Sequence, residues 1–182
     1  RSEPMPVAQA CFISIKMCEG LDYAHNKRDA QGPEMNLVHR DVSPQNVLIS
    51  LEGDIKLCDF GIAKAASKAS HTQAGALKGK IQYMSHEQAW GRSIDRRSDI
   101  FALAAVLFEM LAGRKLFEGD SEVSILDHVR EARVTPPSQF NDEVTQEIDA
   151  IVLKALQKAP EARYQTAGEM ARDLDAVLYS FR

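Results

Sequence analysis

Three side chains in one short stretch have the types and spacing to handle a phosphate and its counter-ion. Within HRDVSPQNVLISLEGDIKLCDFG, residues 39–61, Asp41 offers a carboxylate, Asn46 an amide and Asp59 a second carboxylate. Hard cations such as Mg²⁺ take oxygen ligands, through one or two carboxylates plus the phosphates of a substrate, which suits Asn46 and Asp59. Asp41 stands five residues before Asn46, in a loop that follows the apolar pair Leu37 and Val38. There it can face the same point without being a ligand, and a carboxylate so placed suits proton acceptance from a hydroxyl.

The elements that must bring these groups together are short. Val47, Leu48 and Ile49 form one β-branched-rich run, residues 55–58 form a second, and the five residues between them include Gly53, as a hairpin turn requires. Folding one run back on the other carries Asn46, at the start of the first, toward Asp59, at the end of the second.

His39, Arg40 and Asp41, then four residues and Asn46, then Asp59, Phe60 and Gly61, resemble the catalytic-loop and metal-loop signatures of eukaryotic-type protein kinases. The resemblance implies that Asp41 is the catalytic base, that Asn46 and Asp59 hold Mg²⁺ beside ATP, that Leu48 lines the nucleotide site, and that Phe60 stacks on His39 beneath it. It implies a protein substrate, phosphorylated on Ser or Thr. It also makes Arg40 the residue that pairs with a phosphorylated loop. Thr72 is the first choice for that phosphosite, ahead of Ser70 and Ser67.

Two departures from the family read as one exchange. Kinases of the Ser/Thr class usually carry a lysine two residues after the catalytic Asp and a threonine seven residues before the glutamate that ends the activation loop. Here those positions are Ser43 and Lys80. The expectation is that Lys80 reaches Asp41 and the transferred phosphate, with Ser43 as its partnering hydroxyl. A third departure is His86 where a proline is usual before Glu87, which predicts a less rigid loop exit.

The remaining pattern is helical. Residues 7–26 are apolar on both sides (Cys11, Phe12, Ile15, Cys18; Ile13, Met17, Leu21), which predicts a helix buried nearly all round. Ser98 and Asp99 open a second apolar helix, closed by Gly113, that matches the central buried helix of a kinase large lobe; the family resemblance assigns Asp99 to tying down the catalytic-loop backbone. Trp90 reads as a packing anchor, and Ser121 or Asp120 as a cap. A stripe at Ile148, Ile151, Val152, Ala155 and Leu156 predicts a helix over 145–158. Thr166 and Glu169 make a capping box for a last helix with Met170, Leu174, Val177, Leu178 and Phe181 inward. The resemblance also pairs Glu87 with Arg163.

The fold class expected is mainly α, α+β overall: a kinase-like C-terminal lobe built round a buried helix, with a short β-hairpin carrying both loops. A chain of 182 residues, 45% hydrophobic and 26% charged, fits one domain with a real core. A net charge of -4 gives no reason to expect nucleic acid as a partner. No apolar stretch reaches the roughly 18 residues of a membrane span and no signal-peptide pattern opens the chain. Cys11, Cys18 and Cys58 lack metal-ligand spacing; the first two read as reduced core thiols and Cys58 as a strand filler, with a reactive thiol beside the nucleotide site as the lesser alternative. These features predict a cytoplasmic domain, or the cytoplasmic part of a membrane-anchored kinase.

Residues 1–38 contain no glycine-rich loop, no strand lysine for the phosphates and no helix glutamate to pair with it. The expectation is therefore a fragment, residues 1–182 being the large lobe, which needs the N-terminal lobe of the same protein and is inactive alone. Two other readings compete. His86, Ser43 and Lys80 suit a pseudokinase or docking module, against which stand the intact Asp41, Asn46 and Asp59. A small-molecule phosphotransferase on a related fold would usually lack Arg40, Arg163 and so long an activation segment.

Overall fold

The computed structural model describes residues 3–60 and 79–179. Helix α1, Val7–His25, starts after Pro6 and leads through an extended stretch to a 3-10 turn at Pro44–Asn46. Strands β1, Val47–Ile49, and β2, Ile55–Leu57, pair antiparallel with Val47 opposite Leu57 and Ile49 opposite Ile55. Gly53 at φ +91° makes the turn, a conformation that L side chains resist. Then come α2, His86–Ala89; α3, Arg96–Ala112; α4, Glu122–Glu131; α5, Gln146–Ala155; and α6, Ala167–Tyr179.

α3 is the core. Every residue from Ser98 to Phe108 is buried, so this helix has no solvent face along that stretch. Each Leu, Ile or Phe withdrawn from water there contributes about 1.5–3 kcal/mol. The helix begins earlier than the apolar run suggests: Asp95 is the N-cap and accepts from Arg97 N at 2.8 Å, while Gly113 at φ +63° ends it. α1 and α5 pack on α3, α6 packs across α1 and α5, and β2 lies against α1.

α1 corrects one expectation. Its buried side includes Cys11, Cys18, Leu21 and His25, but Phe12 is 43% and Tyr23 73% exposed, so the helix is not buried all round. Trp90 is also no core anchor. It is half exposed, with the Arg130 guanidinium 4.7 Å and the Arg92 guanidinium 5.7 Å from its ring.

The capping predictions hold. Ser121 caps α4, accepting from Ser124 N at 3.1 Å, and Thr166 accepts from Glu169 N at 3.2 Å while Glu169 reaches back to Thr166 N. Met170, Leu174 and Leu178 face inward from α6, Val177 is partly buried, and Phe181 lies outside the described residues. No helix among the described residues is long and apolar enough to cross a membrane.

Candidate active site

Asp99 sets the frame. Buried at the start of α3, it accepts from His39 N at 2.7 Å and from Arg40 N at 2.8 Å, and its Oδ2 also meets His25 Nε2 at 2.7 Å. A carboxylate is an acceptor only, so His25 carries its proton on Nε2, and its Nδ1 is buried without a partner. One acid from the core thus fixes the backbone just before Asp41. Arg40 needs that support, because it sits at φ +70°, where a residue with a Cβ is strained.

His39 joins the two loops. Its Nε2 lies 3.0 Å from the Cys58 carbonyl, and its Nδ1 is 3.3 Å from Asp41 N. The carbonyl accepts and the amide donates, so the ring is the Nε2-protonated tautomer, bonded at both ends. The Phe60 ring lies against it, centroids 4.4 Å apart. Asp59, between Cys58 and Phe60, is a second non-glycine residue in the left-handed region, at φ +58°.

Asn46 makes the other link. Its side-chain Nδ2 donates to the Asp41 carbonyl at 2.7 Å, and its own carbonyl accepts from Cys58 N at 2.9 Å. Because the Asp41 carbonyl only accepts, the amide orientation is fixed and Oδ1 is the atom left to meet a cation. Cys58 Sγ lies 3.4 Å from the same Asn46 carbonyl. Leu48 is on β1, opposite Lys56, and exposed.

Asp41 itself is partly buried, and Lys80 Nζ donates to its Oδ2 at 3.1 Å. Both line a cleft of about 300 Å³, with Arg40, Tyr83, Met84 and Gln88 among its walls. Tyr83 donates to Glu109 and burial pushes its phenol well up, so it is wall rather than acid or base. Ser43 is buried, and its hydroxyl makes no hydrogen bond to Lys80. Thr72, Ser70 and Ser67 lie outside the described residues.

The segment beyond the cleft is held by a local capping box and two longer-range contacts. Ser85 caps α2 in a reciprocal box with Gln88, and Gln88 Nε2 also donates to the Arg40 carbonyl at 3.3 Å. His86 is buried, its ring 6.4 Å from that of Trp90, and burial and the nearby Lys158 and Arg92 lower its pKa. Glu87 meets Arg163 in a paired contact of 2.8 and 2.7 Å, and Ser98 Oγ donates to it at 2.5 Å. Burial pushes the Glu87 carboxyl up, but these bonds and the Arg163 charge outweigh it and bring the pKa to about 2.

Sequence reasoning missed His25 and Gln88, and the bond from Ser98 to Glu87. The Ser85-x-x-Gln88 pattern is a legible capping box. His25 left a fainter sign, a polar residue four positions after Leu21 on the buried stripe.

The site is thus built of two loops cross-bonded to each other and anchored to a central helix. The chain belongs to the protein kinase domain family, which it matches over residues 1–173. It is similar to the serine/threonine-protein kinase PknB of Mycobacterium leprae, 47% identical over 176 residues, and to PknB of Mycobacterium tuberculosis strain H37Rv, 43% over 177. It is also similar to the tyrosine-protein kinase MasK of Myxococcus xanthus, 39% identical over 175. Each match covers 96% of this chain, which spans about a quarter, 27%, of each of those proteins. The helix-rich fold with one small antiparallel sheet is protein-kinase-like.

ATP and Mg²⁺ are the groups this family uses, and the residues present fit them. Among the described residues no three His, Cys, Asp or Glu side chains cluster as a metal cage. One amide oxygen with one carboxylate instead suits an ion that takes its other ligands from phosphate and water.

Proposed function

We propose that residues 1–182 are the large, C-terminal lobe of a protein serine/threonine kinase, transferring the γ-phosphoryl group of ATP to a hydroxyl of a protein substrate. Asp41 accepts the hydroxyl proton as the hydroxyl oxygen bonds to the γ-phosphorus. The bond from that phosphorus to ADP then breaks, and its electron pair leaves with ADP. Asn46 and Asp59 would hold Mg²⁺, which when bound neutralises phosphate charge. Leu48, exposed on β1, would offer apolar surface to the nucleotide.

The observation that carries this reading is the pair of hydrogen bonds made by Asn46, its Nδ2 donating to the Asp41 carbonyl and its backbone carbonyl accepting from Cys58 N. It holds the proposed base loop and metal loop in one frame. Such preorganisation is most of what a kinase contributes to catalysis. The glycine-rich loop and phosphate-binding lysine, which these 182 residues do not contain, would come from the N-terminal lobe of the same protein. Three free cysteines suit a cytoplasmic setting.

The test is transfer of labelled phosphate from ATP to Ser-, Thr- and Tyr-containing peptides by the intact kinase, because one relative is named a tyrosine kinase. The expected result is labelling of Ser or Thr, lost in D41N, and no efficient transfer by residues 1–182 alone. Labelling that persists in D41N overturns the assignment of the base.

A further inference from the structure

We infer that Lys80 is a catalytic residue whose ammonium stabilises the phosphoryl group in transfer, reaching the site from the opposite side to the loop that carries Asp41. The inference rests on the proposed role of Asp41 and deepens it.

The geometry is restrictive. An acceptor hydroxyl must come within about 3 Å of the Asp41 carboxylate to give up its proton. Lys80 Nζ already stands 3.1 Å from Oδ2 of that carboxylate. The ammonium is then no more than about 6 Å from the attacking oxygen, on the rim of the same cleft. A cation at that range acts on charge developing at the transferred group. Lys80 has no proton-accepting role while its nitrogen is held as a donor to a carboxylate.

The backbone that delivers Lys80 is braced. Residues 79–81 form a helical turn, and the Lys80 carbonyl accepts from Tyr83 N at 3.2 Å. Ile81 is buried, and a Cβ added at Gly79 would lie 3.6 Å from Gln45 Nε2, so the turn rests on the loop that follows Asp41. From its far side Gln88 bonds the Arg40 carbonyl. The side chain itself is 29% exposed and its ammonium lies at the Asp41 carboxylate, within the same cleft.

Position 43 explains why the charge comes from here. Ser43 is two residues from Asp41, in the same loop, and buried. A serine there supplies no cation, whereas Lys80 is paired with the Asp41 carboxylate.

Two roles for Lys80 predict opposite signs. If the ammonium only pins Asp41, removing it frees the base, and kcat holds or rises. If it stabilises the phosphoryl group, K80M lowers kcat by about 10²–10³ with KM for ATP little changed, and K80R retains most of the rate. The experiment is single-turnover and steady-state transfer by the intact kinase carrying K80M, K80R, K80T, D41N and the exchange S43K/K80T, with circular dichroism reporting the folded fraction of each. S43K/K80T is expected to recover at least about tenfold over K80T, because the ammonium returns from the other side. K80M with wild-type kcat while D41N is inactive overturns this inference alone. A folded exchange variant with no recovery overturns it too, whereas an active D41N overturns the reading beneath it.

Discussion

Arg163 and Glu87, 76 positions apart, meet through two parallel hydrogen bonds of 2.8 and 2.7 Å, and the guanidinium is wholly buried. Arg163 also donates to the carbonyls of Gln157, Lys158 and Arg97, and its guanidinium lies 4.9 Å from the Phe101 ring. The C-terminal part of the chain is in this way clamped to the segment that ends the candidate substrate cleft and to the start of α3.

Removing either partner strands the other charge. R163A and E87A are each expected to lose about 3–5 kcal/mol, and R163K nearly as much because an ammonium cannot form the planar fork. A double replacement by apolar residues of similar volume, E87L/R163M, should recover a large part of that loss, since no buried charge then remains. Urea unfolding checks this through the transition midpoint at unchanged slope. Equal stability of R163A and the wild type would show that the clamp contributes nothing.

The same pair gives stability a pH dependence of defined sign. Glu87 falls from its ordinary 4.5 to about 2 in the folded protein, so the unfolded chain takes up the proton first as pH drops. The contribution is complete above about pH 5 and is lost between about pH 5 and pH 2, on the order of 3 kcal/mol in total. E87Q starts lower and has the shallower acid limb. The check is a series of urea midpoints from pH 7 to pH 3, and parallel limbs for E87Q and wild type would refute the assignment.

Asp99 couples stability to activity. D99A leaves the buried His39 amide without its acceptor and His25 without its partner, a cost of about 1–3 kcal/mol for each orphaned group. Arg40, no longer held at φ +70°, relaxes, and Asp41 moves with it. A misplacement near 1 Å is enough for about a 10²-fold loss of kcat. Denaturation and kinase assays on the same preparation of the intact protein separate the two effects. D99A with full activity would mean that the loop holds its shape unaided.

Much of this architecture is written locally. The apolar periods of α5 and α6 mark helices because a helical face repeats every three to four residues, the long unbroken apolar run marks α3, and Thr166 with Glu169 or Ser121 marks a terminus through bonds only three residues long. Gly53 marks the hairpin turn because its backbone conformation excludes other residues. The approach of the chain at Asn46 and Asp59 was legible for a similar reason: one hairpin with three-residue strands joins those two positions.

What the sequence by itself determined, then, was which segments are helix or hairpin and which residue types cluster near residues 39–61. Only the tertiary structure decided the contacts of His25, Ser98 and Trp90. His25 bonding Asp99, Ser98 bonding Glu87, and Trp90 lying half in solvent between two arginines depend on how helices far apart in sequence come to rest. The physical reason is range. Periodicity and caps act over a few residues, whereas an ion pair or a buried imidazole is selected by the whole packed core, which no window of sequence contains.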